Sequence, residues 1–219
     1  MQERIDIDYY SDVLCVWAWI AQPRLEELSR QWADRISVKH HFVDIFGDAH
    51  KKIPNSWGEQ DGYEKFADHV QHSAKPFGES FVHPDLWRTV RPSSSSQAHL
   101  LLRAVGLVAD EERLASVALR IRQAFFCDAR DISDMELLLD LAEQEQVDRS
   151  SLSACLRDGR AIAALSSDLR AAAEMNVRGS PTWILKNGRQ VLFGNVGYRI
   201  LNANIEELLK SPGDEASWC

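Results

Sequence analysis

Strand periodicity occurs only near the two ends of this 219-residue chain, and a long helical stretch separates them. At the start, "RIDIDYY" alternates Ile5, Ile7 and Tyr9 against polar partners, the period-two pattern of a strand. From Trp17 to about Trp32 the period turns helical, with Trp17, Ile20, Ala21, Leu25 and Leu28 at three- and four-residue steps. Pro23 lies inside that helix and should bend it. "RISVKHHFVDIF" returns to strand composition over about 36–46, so the first 46 residues read as a β-α-β unit with parallel strands. At the far end, "SPTWILKNGRQVLFG" carries two apolar runs around Asn187-Gly188, and both residues tolerate the positive φ of a type I′ hairpin turn. "YRILNANIEELLK" closes the chain as an amphipathic helix.

Residues 47–92 read as irregular, rich in Gly, Pro, His and aromatics, with one short helix near "DGYEKFADHVQHSA". Pro92 then breaks the chain, and the serines at 93–96 offer N-caps to the apolar helix of "SQAHLLLRAVGL". "DEERLASVALRIRQAFFC" follows, its acidic start a solvated helix opening. "DISDMELLLDLAEQEQV" is expected to begin with a capping box from Ser133 to Glu136. Two more helical segments reach about residue 176. The order predicts an α/β fold, a sheet unit of residues 1–49 and 176–219 split by an all-helical insertion of 50–175.

A formal charge of −8 leaves no basic face for nucleic acid or for an anionic membrane surface. "MQERIDIDYYSD" lacks the basic and apolar segments of a signal peptide, and no stretch approaches the ~20 apolar residues of a membrane span. A cytoplasmic protein with reduced thiols is expected. Cys15, Cys127, Cys155 and Cys219 are far apart with no C-x-x-C pair, which excludes a zinc knuckle and a disulfide framework. His40 and His41 must point to opposite faces of a strand, and His69 and His72 have no evident third ligand, so no metal is expected.

Cys15, in "SDVLCVWAWIA", stands where a strand ends and a helix begins. Unpaired N–H groups and the helix dipole there favour a thiolate, which predicts a depressed pKa. The alternative is a small buried residue. Cys127 and Cys155 fall on apolar helical stretches and read as small hydrophobes, and Cys219 is the last residue. His99 reads as a satisfied core or interface histidine rather than a general base. Asp12 could orient the turn, act on the Cys15 thiol, or cap the helix. Trp17 is either an apolar wall beside the thiol or a packed helix-face aromatic.

A β-α-β unit with a helix-start cysteine, an inserted helical block and a "GSPT" turn before a hairpin resembles the DsbA-like branch of the thioredoxin superfamily. "SDVLCVWAWI" is similar to its active-site stretch, commonly S-D-x-x-C-P-W-C. "PSSSSQAHLLLRAV", "RQAFFCDARDISDMELLLDLAEQEQVD", "NVRGSPTWIL" and "FGNVGYRIL" match later segments in the right order. The resemblance implies a thioredoxin-like fold and a cis peptide before Pro181. Two departures matter: Ala18 stands where the second cysteine would be, and Val16 where the proline would be. Kappa-class glutathione transferases and 2-hydroxychromene-2-carboxylate isomerases are also similar, with a serine at the cysteine position.

These features lead to an expected thiol-disulfide oxidoreductase with Cys15 as the single nucleophile. Asp12, Trp17, Ala18, Ser180 and Pro181 are expected to bind substrate or glutathione. Glutathione, or another small thiol or disulfide, would be the co-substrate, with protein thiols as further partners and no tightly bound cofactor. Cys127, Cys155 and Cys219 are the alternative thiols for resolving a mixed disulfide in its place. The alternatives are a glutathione-dependent isomerase or transferase, in which Cys15 hydrogen-bonds the glutathione thiolate, and a non-catalytic scaffold. The apolar insertion helices could equally supply a homodimer interface.

Overall fold

A computed structural model describes residues 4–78, 81–210 and 213. Strand β1 (Ile5–Ser11) runs into helix α1 (Val16–Trp32) and returns as β2 (Ile36–Phe42), which pairs parallel to β1 with Ile5 opposite Ile36. A hairpin of β3 (Thr182–Leu185) and β4 (Gln190–Phe193) adds antiparallel to β1, giving the order β2-β1-β3-β4. Helix α9 (Tyr198–Lys210) follows. Ile5, Ile7 and Tyr9 share one core with Leu25 and Leu28 of α1 and Leu201, Ile205 and Leu208 of α9. The period-two and period-3.6 patterns thus meet on a single sheet face. Asn187 at φ 56° and Gly188 at φ 92° make the hairpin turn as expected, closed by Arg189 N donating to Lys186 O at 3.2 Å.

Between the two sheet segments, among the described residues, lie seven α-helices: α2 (Ala49–Trp57), α3 (Gly62–Ala74), α4 (Ser96–Val108), α5 (Glu111–Phe126), α6 (Met135–Gln144), α7 (Arg149–Arg157) and α8 (Arg160–Glu174). The architecture is thioredoxin-like α/β with an inserted helical unit. Three local expectations are corrected. Residues 49–57, expected to be irregular, form α2 because Ala49 and Ile53 are one turn apart and both buried, despite Pro54 inside the helix. β2 stops at Phe42 rather than near 46. Helix α6 is capped by Asp134, whose carboxylate accepts from Glu136 N at 3.0 Å, because the Ser133 hydroxyl accepts instead from Ser93 N.

The exposed edge of the sheet explains how the insertion docks. Among the described residues β2 has no strand beyond it, so alternate backbone groups take partners from elsewhere. Glu111 of α5 accepts from His40 N at 2.7 Å, Asp168 of α8 accepts from Phe42 N at 3.0 Å, and Arg103 of α4 donates to His40 O at 3.1 Å. Side chains of three insertion helices stand in for a fifth strand. His41, between Asp168 at 2.9 Å and Asp8 at 3.0 Å, joins the same seam. Among the described residues no helix is long and apolar enough to cross a membrane.

Candidate functional site

The register of the sheet builds the site. β1 and β3 pair Tyr10 with Thr182, so two residues further along Asp12 meets Ser180, and Asp12 N donates to Ser180 Oγ at 2.9 Å. The Ser180–Pro181 peptide bond is cis. Thr182 Oγ1 donates back to Gly179 O at 2.9 Å and Gly194 N donates to Pro181 O at 2.9 Å, which anchors this loop on both sides. Opposite it, the chain leaves β1 in a turn closed by Cys15 N donating to Asp12 O at 3.1 Å. Cys15 is the N-cap residue of α1, and its Sγ donates to Ser180 O at 3.1 Å. Cys15, Ser180 and Pro181 therefore come together from 165 residues apart in sequence.

Asp12 is the centre of the turn. Its Oδ1 accepts from Leu14 N at 2.9 Å, while Oδ2 accepts from Phe46 N at 2.7 Å and from Ser95 Oγ at 2.8 Å. It is 0% exposed, held inside the turn rather than at its surface. Of its three possible roles, it orients the turn, tying it to the insertion, and it pushes the Cys15 thiol up, and it does not cap α1. Burial pushes its carboxyl up to about 6, against the pull of the Phe46, Leu14 and Ser95 hydrogen bonds and the charge of Arg122. Ser95, expected to cap α4, spends its hydroxyl on Asp12, and Ser94 Oγ accepts from Ser96 N instead.

His99 is buried and stacked on Phe42, as the sequence suggested. Its Nε2 accepts from Val13 N at 3.1 Å, so this nitrogen carries no proton. Although Nε2 lies 3.7 Å from Asp12 Oδ1, the two acceptors do not form an ion pair. Burial first, then the charge of Arg122, pushes the imidazole down to about 3, and it is neutral at physiological pH.

The thiol itself departs from expectation. Cys15 is 6% exposed, and burial pushes its pKa up. A hydrogen bond from the Ser180 side chain and the Ala18 and Trp17 N–H groups pull the other way, and Asp12 pushes up again. Desolvation outweighs the helix N-terminus, because the dipole acts over one turn while burial removes water from the whole sulfur. At rest Cys15 is a protonated donor rather than a ready thiolate.

Ala18 is 0% exposed and packs in the core. Trp17 sits between its two alternatives: it is half-buried and meets His69 edge-on at 6.4 Å, with His69 itself 4.9 Å from Trp57. Cys155 is fully buried and Cys127, at the end of α5, is half-buried, whereas Cys219 lies outside the described residues. No group of three or more His, Cys, Asp or Glu suited to a metal occurs among the described residues. Sequence reasoning missed Arg122, whose Nη2 donates to Ser11 Oγ at 2.8 Å one residue before the turn. Its signal was a charge on the apolar face of α5, four residues after Ala118 and three before Phe125.

The geometry has parallels. Over 100 residues the chain is 33% identical to the ClpXP adapter protein SpxH of Bacillus licheniformis, a match covering 43% of this chain. It spans about a third of that relative's length, 32%. The cytosolic disulfide reductase DsbM of Pseudomonas aeruginosa superposes with a TM-score of 0.67 at 20% identity, covering 92% of this chain and 98% of that one. DsbM has also been solved with GSH. A 2-hydroxychromene-2-carboxylate isomerase superposes at 0.69 with 18% identity, covering 97% of this chain and all of the other, 100%. At such identities these structures carry the fold. The family model is more specific, running over residues 6–206 from the first strand to the closing helix, and the chain belongs to the DSBA-like thioredoxin domain family.

Proposed function

We propose that this protein is a thiol-disulfide oxidoreductase working through Cys15 alone, with glutathione as its co-substrate. The observation that carries this reading is the contact of Cys15 Sγ with the Ser180 carbonyl at 3.1 Å, beside a position where Ala18 removes any second thiol. An incoming disulfide displaces that contact, and the Cys15 proton leaves to solvent. The thiolate is held by the Trp17 and Ala18 N–H groups and the Ser180 side chain. It attacks the glutathione sulfur of a mixed disulfide between glutathione and a substrate thiol: the Cys15–glutathione S–S bond forms, the original S–S bond breaks, and the substrate thiolate departs with the electron pair. A second thiol must attack the mixed disulfide to regenerate Cys15, because a lone cysteine cannot store a disulfide internally. Glutathione supplies it, and the cytoplasm keeps that pool reduced. Electrons pass from sulfur to sulfur, so no tightly bound cofactor is required. Trp17, half-exposed, forms a wall of the site, and residues 50–175 act as a unit roofing it.

A second reading has its own observation: Cys15 is already a neutral donor in a buried setting, as a residue that hydrogen-bonds a glutathione thiolate would be. Here the protein would be a glutathione-dependent isomerase or transferase. The SpxH likeness gives a non-catalytic binding role a place as a third outcome. The reduced protein and Cys15→Ser are incubated with oxidised glutathione at neutral pH and read by intact mass, with reduced-glutathione binding read by calorimetry. An adduct on the wild type that vanishes in the variant is expected. No adduct with retained binding moves the assignment to the isomerase or transferase. Neither adduct nor binding leaves the scaffold.

A further inference from the structure

Arg122 is a charge where a charge is costly. It is 1% exposed on α5, and its hydrogen-bond partner is a neutral one, Ser11 Oγ at 2.8 Å. Among the described residues its Nε is buried without a partner, and so is the hydroxyl of Tyr9, two residues before Ser11 on the same strand. A buried guanidinium is normally matched by a carboxylate. The nearby buried one, Asp12, has both oxygens occupied by Leu14 N, Phe46 N and Ser95 Oγ. The tether then leads straight to the thiol: Ser11 precedes Asp12, Asp12 N donates to Ser180 Oγ, and Ser180 O accepts from Cys15.

We propose that Arg122 is a positioning residue for Cys15, its buried guanidinium supplying the positive charge against which the thiolate forms when substrate arrives. The inference rests on Cys15 being a reactive thiol. The titratable groups coupled to that sulfur are Asp12 in the turn, Tyr9 on β1 and Arg122 on α5, with His99 of α4 held on Val13 N of the same turn and Arg24 of α1 acting on Tyr9. His99 is neutral, Tyr9 is pushed up by burial, and Asp12 opposes a thiolate. Burial pushes the Arg122 guanidinium down, while Tyr9, Cys15 and Asp12 pull it back up, so Arg122 is the positive member of this group beneath the turn. Burying it there is explicable if the protein must ionise a buried sulfur. A merely structural arginine would be better replaced by a hydrophobe.

The test is the rate of Cys15 alkylation by iodoacetamide from pH 6 to 10 in the full chain, with Cys15→Ser as blank and folding followed by circular dichroism. Arg122→Met should move the profile to higher pH and slow alkylation at pH 7.5 about tenfold, one pH unit of thiolate population, while Arg122→Lys restores most of it. A folded Arg122→Met with the wild-type profile overturns the proposal, as does a folded Arg122→Lys that shifts as far as Arg122→Met. If Arg122→Met does not fold, Ser11→Ala, which only frees the guanidinium from its tether, decides. An upward shift upholds the proposal and an unmoved profile overturns it. Failure of the oxidoreductase reading is separate, since it would show as a wild-type protein that takes up no glutathione at any pH in this range.

Discussion

Replacing Asp12 by Asn should change how stability responds to pH more than it changes stability itself. In the unfolded chain this carboxyl titrates near 3.8, and in the folded protein burial raises it to about 6. Between those values the native state binds more protons, so the Asp12 contribution falls as pH rises: full below 3.8, lost above 6. The gap of about two units, at about 1.4 kcal/mol each, makes it about 3 kcal/mol. Asn cannot titrate and loses this term. It keeps one oxygen but turns an NH2 towards Leu14 N, or towards Phe46 N and the Ser95 hydroxyl, at a pH-independent cost of about 1–3 kcal/mol. Urea unfolding of both proteins at pH 7.5 and pH 4 gives the difference directly, other titrating groups cancelling. Wild type should gain about 2.4 kcal/mol on the variant over that interval, the unfolded carboxyl being partly ionised at pH 4. Differences that agree at the two pH values within about 0.5 kcal/mol would refute the account of Asp12 as a buried, strained carboxylate.

His99 carries the opposite sign. Its folded value near 3 lies below the ordinary 6.5, so its contribution is present above 6.5 and lost as pH falls toward 3. His99→Gln keeps an acceptor for Val13 N without titrating, and should remove about 2–3 kcal/mol of acid destabilisation at pH 4.5, measured as a narrowing of its urea-midpoint gap from wild type. Ala18→Cys creates the missing C-x-x-C spacing within the first turn of α1, where Ala18 N already donates to Cys15 O at 3.1 Å. Mild oxidation should then give an intramolecular disulfide with Cys15, read as a loss of about two mass units and of the glutathione adduct, at a cost of about 1–3 kcal/mol in the reduced form from overfilling a buried site. Two thiols still open to alkylation after oxidation would show that the turn cannot close that bond.

Much of the fold was legible in the chain because its causes are local. The alternation of Ile5, Ile7 and Tyr9, the helical period of Leu25 and Leu28, and the paired positive φ of Asn187 and Gly188 each depend on neighbours within a few residues. So does the position of Cys15 at a strand-to-helix junction. Misreadings arose where a local signal had a distant competitor. Ser133 and Ser95 look like caps, but their hydroxyls are claimed by Ser93 and Asp12, 40 and 83 residues away. Residues 49–57 look irregular because Pro54 hides the one-turn spacing of Ala49 and Ile53, which matters only once an insertion core exists to cover it.

The chemistry divides the same way. By itself the sequence determined that a lone thiol begins α1, that Ala18 cannot partner it, and that a proline loop precedes the hairpin, because residue identity and local geometry suffice for each. Only the tertiary structure decided that Cys15 is protonated at rest, that Asp12 is buried and holds the turn, and that a buried arginine stands behind both. Those properties are set by desolvation and by charges brought together from α1, α4, α5 and the β3 loop. Burial is a property of the packed assembly, so no window of residues along the chain contains it.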